Sequence, residues 1–272
     1  MIGPVLRRAE AGRPPSRREI LLMLRADESE YQSLLEVAGR ICRQTKGDQP
    51  SLRTLVDVET VGSRARALDI IGNAWQLGCE SVLLCASSAY EAVEEVAVLI
   101  REIRTHMGMW VALGMGERPY EVYALWRQAG AEEYLLPHEC SNPQLYARLH
   151  PGHSPAERLT RCLWLRGLNY RVTGGLCVGV PGQTSEDVAD DLEVLRNAAF
   201  TGVVLRTATP GADVLRVLAI ARLCLPRADL WVATDDPVLQ ARALTCGANI
   251  LATTHLEGTA PRERLMTLMT AG

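Results

Sequence analysis

GGLCVGVPGQTSEDVADDL, residues 174–192, holds a strand, a tight turn and the start of a helix. Leu176, Cys177 and Val178 form an apolar run, and Val180-Pro181-Gly182-Gln183-Thr184 carries turn residues. The first helical turn, Ser185-Glu186-Asp187, is acidic, as the positive end of a helix dipole favours. The glycines inside the strand leave two readings open: tight packing at a strand-to-helix turn, or close approach by another backbone or a flat ligand.

The same unit recurs along the chain. Strands are predicted at 52–58, 81–85, 109–113, 133–136, 174–180, 202–206, 229–233 and 249–252, with amphipathic stretches between them. Eight strands separated by helices predict an α/β protein with a (βα)8 TIM-type barrel. An open doubly wound sheet shows the same alternation, and the count of eight favours the barrel. Residues 1–48 are predicted as a helical lead-in, with Ser16 capping REILLMLR and a second periodic run ending at Gly47. The barrel is expected over 49–256 and a short helix over 257–272.

Composition excludes several classes. With 272 residues, 47% apolar and 22% charged, the chain fits one large domain. Its net charge of -3 comes from 29 basic and 32 acidic residues spread through one another, so no nucleic-acid partner is expected. No long apolar run and no signal-peptide core occur, so no membrane association and a soluble, cytoplasmic protein are expected. Cysteines 42, 79, 85, 140, 162, 177, 224 and 246 lie within apolar patterns and are expected as free thiols. No CxxC or CxxxCxxC occurs, which rules out a closed metal site encoded in a local motif.

In a barrel, chemistry belongs to the residues that follow each strand. Here these include Asp57, Glu59, Glu117, His138, Glu139, Cys140, Gln183, Thr209, Asp235, Asp236 and His255, a polar and rather acidic ring. Such a ring suits amines, hydroxyls or a cation. His138, Glu139 and Cys140 together are either a hydrogen-bonded turn or the start of a metal site, and Asp235-Asp236 before Pro237 has the form of a helix cap.

Three segments carry a resemblance: LGMGERPYE at 113–121, YLLPHECSNPQLYARLHP at 134–151, and the 174–192 stretch with its flanks. From about Ser16 to His255 the chain resembles radical-SAM enzymes of the biotin synthase type, and among them the E-type maturases of di-iron hydrogenases. That resemblance implies a barrel holding an iron-sulfur cluster and S-adenosylmethionine. Glu139 and Arg158 match positions resembling the family's S-adenosylmethionine contacts, Glu117 is a weaker candidate, and Gly175, Gly179, Pro181 and Gly182 lie in the stretch that looks like the one beside the adenosyl group. A zwitterionic, cationic ligand needs a carboxylate for its ammonium and a guanidinium for its carboxylate, which agrees with those residue types.

One departure is decisive for expectation. The family's first strand is followed by CxxxCxxC, three thiolates on three irons. Here LVDVETVGSRARAL, 55–68, passes through Glu59-Thr60-Val61-Gly62-Ser63 straight into a helix. Pro137 stands where the family has an arginine, and RTATPGADV replaces a proline-rich substrate loop. The cluster is therefore expected to be absent, with a small-molecule ligand such as S-adenosylmethionine, or a protein partner in metallocofactor assembly, as what the chain binds. Two alternatives remain. One is an active radical enzyme whose cluster is held by scattered cysteines such as Cys85, Cys140 and Cys177, or by a partner. The other is a non-redox enzyme using Asp235, Asp236, Glu139, His138 and His255, with His138, Cys140 and His255 as candidate metal ligands.

Overall fold

The computed structural model describes residues 1–254. Three helices come first, α1 (Gly3–Glu10), α2 (Arg17–Leu24) and α3 (Glu28–Lys46). Strands and helices then alternate: β1 (Ser51–Asp57), α4 (Val58–Val61), α5 (Arg64–Gln76), β2 (Ser81–Cys85), α6 (Val93–His106), β3 (Trp110–Gly114), α7 (Tyr120–Ala129), β4 (Glu133–Leu135), α8 (Pro143–Leu149), α9 (Pro155–Gly167), β5 (Arg171–Val178), α10 (Ser185–Asn197), β6 (Gly202–Thr207), α11 (Val214–Cys224), β7 (Asp229–Val232), α12 (Pro237–Thr245) and β8 (Ile250–Thr253). The sheet order is β7-β6-β5-β4-β3-β2-β1-β8. Strands that neighbour in sequence neighbour in the sheet, and β8 lies beside β1. A doubly wound sheet reverses direction at a switch point, so this order is that of a (βα)8 TIM-type barrel. The helix expected at 257–272, and His255, lie outside the described residues.

All eight expected strands form, with shifted ends. β5 starts at Arg171, because Arg171 to Thr173 pair in parallel with Glu133 to Leu135 and the Arg171 guanidinium lies over the Trp110 ring. β1 stops at Asp57, whose carboxylate accepts from the Glu59 and Thr60 amides and starts the single turn α4. Ser16 caps α2 with a capping box to Glu19, and Gly47 ends α3. Among the described residues no helix is long and apolar enough to cross a membrane.

The chain divides into two packed units. One holds residues 1–50, 137–157 and 174–250. Within it every residue of α11 except the half-buried Arg216 is buried, because α3, α2 and α1 cover its outer side. The fully buried Arg222 guanidinium donates to the Gly247, Pro226 and Ala228 carbonyls and to Asn249 Oδ1. Asn249 in turn exchanges hydrogen bonds with Leu230 through its backbone N–H and side-chain oxygen, tying the head of β8 to β7.

The other unit holds 51–136, 158–173 and 251–254 of the described residues. Its centre is polar. Arg53 on β1 makes a bidentate pair with Glu133 on β4 at 2.8 and 3.1 Å, Thr173 on β5 donates to Glu133 at 2.6 Å, and Arg53 Nε donates to Ser81 on β2. Both charged side chains are only 5% exposed. Burial works to raise the Glu133 carboxyl, but the Arg53 charge and the hydrogen bonds outweigh it and hold the group below the usual carboxylate range. Removing one partner of such a pair strands a buried charge. Glu133→Gln is therefore expected to cost about 3 kcal/mol in chemical denaturation at neutral pH. Because the folded-state pKa is lowered, the Glu133 contribution is complete above the ordinary carboxylate pKa and is lost as pH falls through the lowered one; the difference between wild type and variant should shrink in strong acid.

Candidate functional site

The connection from β1 to α5 is held by its own atoms. Asp57 caps α4, Gly62 closes it in the left-handed region at φ 74°, and Ser63 caps α5 by accepting from the Arg66 amide. Glu59 accepts from the Ser87 amide at 3.1 Å, which ties this turn to the loop after β2. Residues 58–63 contain no sulfur or imidazole donor.

After β3, Glu117 lies between two guanidiniums. Its Oε1 is 2.7 Å from Arg158 Nε and its Oε2 is 2.6 Å from Arg161 Nε. The structure thus joins two of the sequence-predicted residues, Glu117 and Arg158, and adds Arg161, which sequence reasoning missed. The loop between β3 and α7 is pinned by buried Arg118, whose guanidinium donates to the Met115, Tyr90 and Ser87 carbonyls.

After β4, His138-Glu139-Cys140 is a hydrogen-bonded turn. Glu139 sits at φ 69° and is bridged to β5, its amide donating to the Gly175 carbonyl and its carbonyl accepting from Cys177. Its buried carboxylate meets Arg206 at 2.7 and 2.9 Å. His150 Nε2 is 3.6 Å away, a charge contact too long for a hydrogen bond. Burial works to raise the Glu139 carboxyl, and its contacts with His150 and Arg206 outweigh that and lower it. Neither Arg206 nor His150 was singled out from sequence; Arg206 is the last charged residue of an apolar strand run, which was the available signal.

His138, Ser141 and Asp191 form a second buried cluster in the same unit. Ser141 Oγ is 2.9 Å from His138 Nε2, Asp191 Oδ1 is 3.9 Å from that same nitrogen, and the Ser141 amide donates to Asp191. A serine nucleophile needs its acid on the opposite ring nitrogen, so this trio is not a hydrolytic triad. Burial raises the Asp191 carboxyl to about 6, against the lowering effect of Ser141, with Asp187 and Asp190 adding to the rise. Asp191 Oδ2 has no hydrogen-bond partner among the described residues. Asn142 caps α8 and binds Asp187, and Asp236 caps α12.

The cysteines are free thiols, seven of the eight buried. Cys140 and Cys177 pack with Leu145 and Val180 in an apolar cluster, and burial pushes the Cys140 and Cys85 thiols up to about 12. Protonated thiols in apolar packing are poor iron ligands. Among the described residues no group of three or more His, Cys, Asp or Glu side chains is placed to hold a metal ion. Among the described residues the side chains therefore do not present the three-thiolate set that the resemblance implies. At Gly175 an added Cβ would lie 2.7 Å from Val204 and 3.0 Å from Pro137, and at Gly179 it would lie 2.6 Å from Ala212. The chain's own atoms fill that close approach. Pro181 accepts at its carbonyl from Arg148, and a Cβ at Gly182 would meet the same side chain at 3.6 Å.

Parallel strands in sequential order, with polar side chains gathered after their C-terminal ends, define the barrel class seen in several solved enzymes. Methylornithine synthase (PylB) shares the fold with a TM-score of 0.83 at 17% identity, over 95% of this chain and 90% of that one. The [FeFe]-hydrogenase maturase HydG from Carboxydothermus hydrogenoformans does so with a TM-score of 0.78 at 14% identity, over 100% and 78%. No family model matches. In sequence the chain is 31% identical over 250 residues to the [FeFe] hydrogenase maturase subunit HydE of Thermotoga maritima, spanning 83% of this chain and 70% of that protein. The chain belongs to the family of the [FeFe] hydrogenase maturase subunit HydE.

Asp191 gives a pH test. A carboxyl raised in the folded state favours folding fully below its unfolded pKa of about 3.9 and loses that contribution as pH rises through about 6. Asp191→Asn keeps the acceptor for the Ser141 amide and removes the charge. Relative to wild type, its unfolding free energy should gain about 2 kcal/mol between pH 4 and pH 7 in matched denaturant titrations.

Proposed function

We propose that this chain is a cluster-free member of the HydE family, one that binds where its radical-SAM relatives react. Its ligand is a small polar molecule of the S-adenosylmethionine type, and it works in the cytoplasm beside a protein partner of metallocofactor assembly. The observation that carries this reading is the β1–α5 connection. Where the family places three cysteines, residues 58–63 form one capped helical turn that needs no metal to complete it. The raised thiols of half-buried Cys85 and buried Cys140 support the same reading, since neither favours a thiolate.

The acidic and basic groups that the resemblance assigns to S-adenosylmethionine are engaged within the protein. Glu139 is held by Arg206, and Arg158 is held by Glu117. A ligand ammonium reaches Glu139 by exchange with Arg206, whose side chain is 42% exposed. Binding by exchange is weaker than binding to an open carboxylate, because the ligand first replaces an existing charge pair.

Two measurements test this. After anaerobic reconstitution with ferrous iron and sulfide, the protein should retain no stoichiometric iron and show no reducible, paramagnetic cluster; a cluster signal would overturn the reading. In calorimetry, Arg206→Ala should bind S-adenosylmethionine and S-adenosylhomocysteine, which share the ammonium, about tenfold more tightly than wild type does, a gain of about 1.4 kcal/mol.

A further inference from the structure

A cavity of about 350 Å³ opens beside the β1–α5 connection, among α4, α5 and α6. Its floor is apolar: Val58, Ala67, Val96 and Leu99 line it, and all four are buried. Arg64 and Glu95 stand at its mouth, paired at 2.9 Å, and Glu102 lies 3.2 Å from Arg64 Nε. The volume lies in the range of small-molecule sites, which bury an apolar body and fix it with a few charged or polar groups.

The walls are held before any ligand arrives. On one side α4 is fixed by the Asp57 cap and by Glu59 accepting from the Ser87 amide. On the other, the Tyr90 segment is held by buried Arg118, which donates to the Tyr90 carbonyl at 2.7 Å and to the Ser87 carbonyl at 2.8 Å. A preformed cavity avoids the ordering cost that weakens binding to mobile loops.

The charges at the mouth define the ligand. The Arg64 and Glu95 side chains are 40% and 63% exposed, and a solvent-exposed pair of this kind contributes little to stability. A ligand carrying both an anionic and a cationic group exchanges with it at small cost. The positive end of α5 lies at the same mouth, on the side of Arg64, and favours the anionic group there. We propose that this cavity binds a small zwitterion with an apolar side chain, of the free α-amino acid class. The side chain rests on Val58, Ala67, Val96 and Leu99, the carboxylate pairs with Arg64 and the ammonium with Glu95. This site is independent of the cluster-free reading, because none of its residues is a candidate iron ligand.

The test uses the full chain with L-leucine, L-phenylalanine and 4-methylpentanoate, the last keeping the carboxylate and the apolar tail without the ammonium. Calorimetry or saturation-transfer NMR should show saturable binding of both amino acids. Glu95→Gln should weaken L-leucine by about fivefold or more without weakening 4-methylpentanoate, while Arg64→Met should weaken both. Ala67→Leu, which fills the floor, should remove binding; if that variant does not fold, the two mouth variants decide. The proposal is overturned by no saturable binding at millimolar amino acid, or by binding that both mouth variants leave unchanged. Iron content is read separately, so failure here and failure of the cluster-free reading are distinguishable.

Discussion

The Arg53–Glu133 pair is the constraint around which half of the sheet is arranged. It joins β1 to β4 directly, and through Ser81 and Thr173 it reaches β2 and β5 as well. Taking two charges out of water costs several kcal/mol for each ion, so the net stabilisation of such a pair over a well-packed apolar isostere is small. Its larger effect is selective. A shift of one residue in any of these four strands would turn the partner side chain to the other face and leave the remaining charge buried and unanswered. All four residues lie in the first half of their strands, so register is set away from the strand ends that follow.

Those strand ends look acidic in sequence and are largely neutralised in structure. Asp57 is answered by the amides of α4, Glu59 by the Ser87 amide, Glu117 by two guanidiniums, Glu139 by Arg206 and Asp236 by the first turn of α12. Asp57, Glu59 and Asp236 are exposed and serve as caps and loop ties. Glu139 is buried, and there His150 and Arg206 outweigh the burial that would raise its carboxyl. Asp191 is the instructive exception: it has one donor for two oxygens, and its carboxyl rises to about 6. Answered charges favour reversible binding by exchange over general acid or base chemistry, because a group already held by a guanidinium is a weak proton acceptor.

What was legible in sequence follows from the range of the forces involved. Strands such as Ser81–Cys85 and Gly202–Thr207 show as apolar runs, and Ser16, Asn142 and Asp236 show as caps, because both signals are local. The single turn α4 is too short for any periodicity to reveal, and its cause, one carboxylate bonding two amides, is a detail of geometry. The strand expected at 174–180 leaves out Arg171, yet stacking on Trp110 shelters its stem and lets the strand begin there. The pairings of Glu117 with Arg161 and of Glu139 with Arg206 join residues 44 and 67 positions apart, which a lone sequence does not encode as a pattern. Asp191 had a usable signal: it falls on the buried stripe of α10 with Val188, Leu192 and Leu195, where a carboxylate needs a partner.

A barrel can lose a catalytic loop without losing its fold because the two are built from different atoms. Stability comes from ladder hydrogen bonds, helix packing and the buried pair at the strand starts, whereas chemistry sits on connections after the strand ends. The β1–α5 connection still has to reverse the chain and satisfy the amides of two helix starts. Asp57 and Ser63 accept from those amides, and Gly62 supplies the left-handed residue between them. Once these requirements are met within six residues, no ligand is needed to complete the turn. The residues that meet them, together with Val58 beneath, then form one side of a cavity whose opposite side is α6. The capped turn thus presents Val58 as a fixed apolar wall, and the exposed Arg64–Glu95 pair stands beside it.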